Sequence, residues 1–569
     1  MAAAAATTTS PASSNNGTQR RRRVLMFPLP FQGHLNPMMQ LAGALHARGG
    51  LDVTVFHAAF NAPDPARRPA AGYRFVSVGE GMPADDLCPS GSDGDFMGAL
   101  LRINERLAGP FRDLLRRELA GDAAEEGGEP PAACLVVDSN LRGMQLVAQE
   151  LGVPTLVLRT GGAACLVAYM AFPALCDKGL LPPTQDQSQW DMALNELPPL
   201  RLRDLVLSTT SSHANICKCL GCLVECSRCS SGIIVNTFLD LEEPELEKIT
   251  NGLGVPIYTI GPLHKISSIA DSSLIVQDQA CLEWLDKQEA ESVLYVSFGS
   301  LASMEEKELL EIAWGLANSQ IPFLWVIRHN LVQSSQQVSL PDGFEEATHG
   351  RGIIVSWAPQ QKVLGHRAVG GFWTHNGWNS TLESICEGVP MICRPQFADQ
   401  MINMRYVQEV WKVGFELQGE LERQMIKRAV QRLLSEEEGR EMRERAMNLK
   451  KKVVKCMEEG GSSKAAIDLL HKKIICVELD HFWVEASLLP LGFSCRVGLS
   501  GQHYGLPAVR SRSQRWVPSE QHYGLSGQHY GLHVVRSRRV LFFPLPISPA
   551  SFTYGPQEEV LAHPAVGGF

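Results

Sequence analysis

The sequence predicts an α/β protein built from two doubly wound domains, each a parallel sheet covered by helices on both faces. Three observations carry this. Short apolar strands alternate with amphipathic helices in two separate series. Both series place Gly-rich polar turns where strands end and helices begin. The length, 569 residues, exceeds what one hydrophobic core fills.

In the first series, "VLMFPLP" (24–30) reads as a strand and "FQGHLN" as a turn. Asn36 is then expected to cap a helix with Pro37 at its first position, and "MMQLAGALHARGG" runs to a glycine stop before the strand "LDVTVF" (51–56). The logic repeats with "CLVVD" (134–138), the helix "MQLVAQEL" and the strand "TLVL" (155–158). The second series opens with "SVLYVSFGS" (292–300), a helix from Glu305 to Ser319, and the strands "FLWVI" (323–327), "GIIVSW" (352–357) and "GGFWT" (370–374). The expected domains are a leader at 1–21, a first domain at 22–245, a linker at 246–290, a second domain at 291–450, a terminal helix at 451–474 and an appended tail at 475–569.

Composition excludes several classes. An apolar fraction of 44% with 20% charged residues is globular, and a net charge of −9 argues against a nucleic-acid binder. No apolar run is long enough to span a bilayer. The first twenty residues are rich in Ala, Thr and Ser, with the basic run Arg20 to Arg23 behind them, which is the wrong order for a secretory signal. Fifteen cysteines in that context read as reduced thiols of a cytoplasmic protein.

The segment "THNGWNSTLESICEGVP" (374–390) follows a strand with a polar loop and a helix. Ser380 and Glu383 have the S-x-x-E spacing of a capping box, so the helix is expected to start at Ser380 and to stop at Gly388 and Pro390. The loop delivers His375, Gly377, Asn379 and Ser380 to a helix N-terminus at a strand's carboxyl end, where free N–H groups and the helix dipole favour an anion. Ser300, in "SFGS" (297–300), can join the same anion. A plain cap and tight turn would leave the same residues. His34 also sits at a strand's carboxyl end, as does Asp138. They fit a ligand crevice, and equally an exposed loop histidine and a turn-capping aspartate.

The 44 residues from Trp357 to Gln400, "WAPQQKVLGHRAVGGFWTHNGWNSTLESICEGVPMICRPQFADQ", resemble the signature box of plant UDP-glycosyltransferases acting on small molecules, and the resemblance extends over about 22–472. It implies two facing Rossmann-like domains of the GT-B type with the cleft between them. It implies that Trp357 is the platform for uracil, that Gln360 and Glu383 hold the ribose, that His375, Asn379 and Ser380, with Ser300 beside them, bind the diphosphate, and that Ala358, Gly377 and Trp378 belong to the same donor site. Asp399 and Gln400 would read the sugar, and a glutamine there goes with glucose as donor. His34 would be the general base and Asp138 its partner. No metal and no cofactor beyond the UDP-sugar co-substrate is implied. The partners are that donor and a hydrophobic acceptor, with no nucleic acid or membrane insertion, and the protein is expected to be a monomer. "NAPD" (61–64) and "LRLRDL" (200–205) are similar to grass benzoxazinoid and cytokinin glucosyltransferases.

Two rivals compete. One is a non-catalytic nucleotide-sugar-binding paralogue with a damaged terminus. The other is a metal-dependent transferase using Asp93 and Asp95, whose D-x-D spacing in "CPSGSDGDF" reads instead as a turn. Cys219, Cys222, Cys226 and Cys229 would share one helical face and are expected to pack as small apolar residues rather than to bind zinc. In the tail, "RRVLFFPLP" (538–546) repeats 22–30 at eight of nine positions, and "PQEEVLAHPAVGGF" (556–569) repeats 359–372 at ten of fourteen. "QHYGL" occurs three times there, at 502–506, 521–525 and 528–532. The tail is expected to be a remnant of a neighbouring gene copy or a faulty gene model, disordered or packed without consequence, with the enzyme ending near Ile474.

Overall fold

A computed structural model describes residues 21–62, 72–83, 94–121, 130–183, 187–267, 277–329, 331–332 and 339–476. These lie in one compact unit, Met1–Gly492. Asp93, the leader at 1–20 and the tail repeats lie outside the described residues.

The first sheet contains β1 (Arg22–Phe27), β2 (Leu51–Ala58), β3 (Tyr73–Val78), β4 (Ala132–Asp138), β5 (Thr155–Arg159), β6 (Ile233–Val235) and β7 (Ile257–Thr259), in the spatial order 3-2-1-4-5-6-7. The second contains β8 (Val293–Ser297), β9 (Phe323–Val326), β10 (Gly352–Val355), β11 (Val369–Thr374), β12 (Met391–Cys393) and β13 (Gly414–Glu416), in the order 10-9-8-11-12-13. Every pairing is parallel. Both sheets reverse their strand order between the first strand and the fourth, the place where doubly wound sheets open a crevice. In the first sheet that is the gap between β1 and β4. In the second it lies between β8 and β11.

Alternation along the strands explains why both faces are covered. Leu25 and Phe27 of β1 face the same core as Phe111 and Met144, while Val24 and Met26 face Leu35, Met38 and Leu41. The second of these cores includes residues far along the chain. Ile467, Leu470 and Ile474, from the helix Ser462–Ile475, are buried against Val24 and Met26. Each such burial contributes about 1.5–3 kcal/mol. Ser463 Oγ donates to the Gly261 carbonyl at 2.6 Å and Arg48 Nε to Asp468 at 2.7 Å, so the terminal helix belongs to the first domain. The second domain encloses Leu294, Val296, Trp325 and Trp373 under the helices Glu306–Ser319 and Arg423–Leu434.

The elements differ from the sequence reading at several places, four of which bear on the domains and the site. The segment expected as a linker, 246–290, holds β7, which pairs with β6 and completes the first sheet. Its three residues are too short for a periodicity to register. The helix after β1 runs Gln32–His46, so Asn36 does not cap it and Pro37 lies inside. The helix near 380 runs Trp378–Glu387 with Gly377 at its N-cap position and no side-chain cap, so Ser380 and Glu383 form no capping box. The segment expected as one terminal helix, 451–474, is instead the end of the helix Glu437–Met457, which crosses the expected boundary at 450, followed by a separate helix, Ser462–Ile475.

Candidate active site

Pro37 has no N–H to offer the carbonyl four residues back, which is that of Gly33. That carbonyl accepts instead from Asn379 Nδ2, across from the other domain, at 2.8 Å. His34 stands in the first turn of the helix Gln32–His46, beside that side-chain-to-backbone contact. Its Nδ1 lies 2.8 Å from Asp138 Oδ2 and 3.0 Å from Thr160 Oγ1. Asp138, the last residue of β4, is wholly buried, whereas the His34 side chain retains 24% exposure. The other Asp138 oxygen accepts from Asn140, from the backbone N at 2.9 Å and from Nδ2 at 3.0 Å. Burial alone would raise this carboxyl. The charge and hydrogen bond of His34 and the two Asn140 donors outweigh it and hold the group below its ordinary value.

The opposite wall belongs to the second domain. Gly299, at φ +71°, lets the loop after β8 turn against the His375 ring, and a Cβ there would lie 2.5 Å from the imidazole. Gly377 is as close on its own side, where a Cβ would meet Nε2 at 2.6 Å. Glycine at both places lets the loops close around this ring. The His375 pKa is pushed down to about 4, by burial first and by the charge of Arg328, against the Ser297 backbone, which favours the charged form. Arg328 Nε donates to the Gly299 carbonyl at 2.9 Å and fixes the same loop.

Gln360 Nε2 donates to Ser380 Oγ at 2.9 Å and to Glu383 Oε2 at 2.7 Å, and Gln361 Nε2 donates to Glu383 Oε1 at 2.9 Å. Desolvation raises the Glu383 carboxyl, with the two glutamine bonds and Lys265 opposing. Two glutamines thus hold both oxygens of a carboxylate that lines the same cavity as Trp357. Asp399 accepts from Asn403 Nδ2 at 3.1 Å. Burial raises its pKa, while Arg159, Asn403 and His34 pull the other way. The Gln400 carbonyl takes backbone N–H groups from Gln396 and Phe397, at 2.8 and 3.3 Å, so its amide nitrogen is the end left for a ligand.

These groups surround one cavity of about 550 Å³. Of the residues read from the sequence, His34, Ser300, Trp357, Ala358, Gln360, His375, Gly377, Trp378, Asn379, Ser380, Glu383, Asp399 and Gln400 all line it, and Asp138 stands behind His34. Trp378 differs in kind, because its indole N–H is spent on the Asn236 carbonyl at 2.7 Å. Asp95 is not among the lining residues. It caps the helix Phe96–Gly121 through Gly98 N at 2.9 Å and accepts from Asn215 Nδ2 at 2.6 Å, a local role like the turn expected for it. The cysteine face is only partly as expected. Cys226 is fully buried and the Cys219 thiol donates to the Met97 carbonyl at 3.1 Å, but Cys229 is exposed at the helix end.

Sequence reasoning missed Arg159 and Thr160 at the end of β5, although the strand-end argument that found Asp138 applies equally to "TLVLRT". Arg159 lines the cavity while only 4% exposed, its guanidinium 5.3 Å from the Tyr169 ring centre.

Two doubly wound domains whose strand-end crevices line one cavity are the arrangement of the GT-B fold, and this protein is of that fold class. Comparison with known proteins narrows it. The sequence profile of the UDP-glucuronosyl and UDP-glucosyl transferase family matches residues 266–453. The chain is 45% identical over 449 residues to a DIMBOA UDP-glucosyltransferase, BX8, of Zea mays, covering 77% of this chain and 96% of that protein. UDP-glycosyltransferase 76B1 of Arabidopsis thaliana is 42% identical over 441 residues, covering 77% and 95%. Among solved structures, a UDP-glucosyltransferase from Polygonum tinctorium capable of glucosylating indoxyl superposes with a TM-score of 0.67 at 29% identity, over 80% of this chain and 99% of that one. The chain belongs to the plant UDP-glycosyltransferase family and is a UDP-dependent glycosyltransferase.

Proposed function

We propose that the enzyme transfers glucose from UDP-glucose to a hydroxyl of a small hydrophobic acceptor, in a single displacement that inverts the anomeric carbon. The observation that carries this reading is the 2.8 Å bond from His34 Nδ1 to the buried Asp138. With its N–H donated to the carboxylate, the ring keeps the proton on Nδ1 and presents Nε2 as the basic nitrogen. Nε2 takes the acceptor's hydroxyl proton as the oxygen attacks, and Asp138 stabilises the imidazolium that forms.

The departing UDP carries the developing negative charge. The free N–H groups at the start of the helix Trp378–Glu387, with His375, Asn379, Ser380 and Ser300, meet it there. This chemistry calls for no metal. Trp357 and Ala358 take the uracil, Gln360 and Glu383 the ribose, and Asp399 and the Gln400 amide the hydroxyls of the sugar. The glucosyltransferase relatives support glucose as the donor sugar. Phe96, Met97, Leu100, Leu220 and Leu223 line the part of the cavity contributed by the first domain and favour an apolar acceptor. The intact His34–Asp138 pair weighs against a non-catalytic paralogue.

We assign the enzyme to the cytosol as a monomer, with a catalytic body of about 22–476. The free cysteines among the described residues fit a reducing compartment. No helix among the described residues is long and apolar enough to cross a membrane. Relatives matched over almost their whole length use only 77% of this chain, which supports a tail outside the catalytic body.

The test is His34→Ala, assayed with UDP-glucose and a panel of phenolic acceptors by mass spectrometry. Glycosylation is expected to disappear while UDP binding persists. Near-normal turnover would refute the assignment.

A further inference from the structure

Cys217 lies across its helix from Cys219 and Cys226, half-buried against the same core. It meets a cysteine from another helix. Cys176 lies in the last turn of the helix Ala163–Asp177, and His213 opens the helix His213–Arg228 with Cys217 one turn later. Cys217 Sγ lies 3.4 Å from His213 Nε2 and Cys176 Sγ 3.7 Å from the same nitrogen. All three ligand atoms are within 4.8 Å of one another. Bond lengths of about 2.3 Å to sulfur and 2.0–2.1 Å to nitrogen put the S···N edge of a tetrahedral zinc site at about 3.6 Å. The two observed spacings bracket that edge. The His213 ring lies beside Phe172, centroids 6.1 Å apart, which gives the cluster an apolar floor. All three residues remain partly exposed, so an ion can reach them and solvent can fill the fourth position.

We propose that Cys176, His213 and Cys217 form a binding site for one thiophilic divalent cation of the Zn²⁺ or Cd²⁺ type. Binding converts two thiols to thiolates, releases their two protons to the buffer and leaves the imidazole neutral. The site is separate from the reaction centre but not remote from it in the fold. One of its helices carries Tyr169 and the other Leu220 and Leu223, all of which line the cavity. A bound ion therefore ties together two walls of the acceptor side.

The test uses the full chain, reduced and stripped with a chelator. Co²⁺ is titrated and followed by its tetrahedral ligand-field bands and its thiolate charge-transfer band. Zn²⁺ affinity is then measured by competition with a chromophoric chelator. One equivalent is expected to bind, with a tetrahedral spectrum and a raised Tm. Cys176→Ser, Cys217→Ser and His213→Ala should each weaken binding by more than the about 10–100-fold typical of losing an outer-shell partner. Cys229→Ser, at an exposed cysteine of the same segment, should leave it unchanged. UDP binding by each variant reports that it has folded. Failure of the unmodified protein to take up Zn²⁺ at micromolar free concentration would overturn the proposal whatever the variants do. So would uptake undiminished in the Cys176→Ser, Cys217→Ser double variant. A Cys176–Cys217 disulfide formed on oxidation, in a protein that binds no ion when reduced, would also overturn it.

Discussion

Replacing Asp138 by asparagine is expected to be more damaging than deleting the side chain to alanine, and the hydrogen bonds around it say why. At the 2.8 Å separation from His34, an effective dielectric of about 20 gives an attraction of about 6 kcal/mol between carboxylate and imidazolium. His34 is 24% exposed, and screening at such a site leaves about half of this, 3 kcal/mol, or a rate factor of about 150. Asparagine adds a second loss. The Asn140 backbone N and Nδ2 both donate to the oxygen facing away from His34. The new amide would set its own oxygen toward those two donors and its NH₂ toward Nδ1. The ring proton then moves to Nε2, the nitrogen proposed as the base. Reversing the amide forfeits two hydrogen bonds, about 2 kcal/mol together, so the productive tautomer falls by about 30-fold. The combined loss in kcat/KM is about 10³–10⁴ for Asp138→Asn, against about 10² for Asp138→Ala. The assay is steady-state glucosylation of one accepted phenol at saturating UDP-glucose, with donor affinity measured separately and expected to be unchanged. A loss of tenfold or less in Asp138→Asn would mean that the aspartate only caps its turn. An asparagine variant more active than the alanine one would refute the tautomer argument.

The other predictions are as follows. Glu383→Ala should weaken UDP-glucose binding by about tenfold or more if, as proposed, the carboxylate takes a charge-assisted pair of hydrogen bonds from the ribose, with little change in Tm because Glu383 makes no capping bond; unchanged affinity by calorimetry would exclude the ribose role. His375 is held near pKa 4 in the fold against an ordinary 6.5, so the neutral ring favours folding above 6.5. That stability should be lost as the pH falls from 6.5 toward 4, by up to about 1.4 kcal/mol per pH unit. His264, down at about 3, adds to the same slope. Denaturant unfolding of ligand-free His375→Gln should show the slope reduced by one proton's worth, and an unaltered slope would contradict the burial argument. Truncation after Cys476 should leave soluble expression and activity intact, whereas a loss of either would show that the tail takes part in the working protein.

The residues of the second crevice were legible because a 44-residue stretch carries them in one block, on strand–loop–helix units whose ends glycine and proline mark. His34 and Asp138 were legible for a simpler reason, that both stand where apolar runs stop. Helix starts were not. Asn36-Pro37 reads as a cap followed by a first helical position, and only the structure reveals that the freed Gly33 carbonyl has a partner more than 340 residues away in sequence. Ser380 and Glu383 have the spacing of a capping box, but Gln360 and Gln361 bind Glu383 before any backbone N–H can. β7 was missed because three residues carry no period. Cys176 was missed because it meets Cys217 through the fold rather than through spacing.

The helix Ser462–Ile475 has a consequence for how the protein is made. The face of β1 bearing Val24 and Met26 is covered in part by residues synthesised only after the entire second domain. About 200 residues separate β7 from that helix, and at about 5–20 residues per second the ribosome takes some 10–40 s to make them. During that interval the first sheet stands with an uncovered apolar strip, open to chaperones. The amino-terminal half should thus finish folding after the carboxyl-terminal half has emerged. Fragments cut between the domains should associate when co-expressed, while the first fragment alone should be captured as an unfinished sheet.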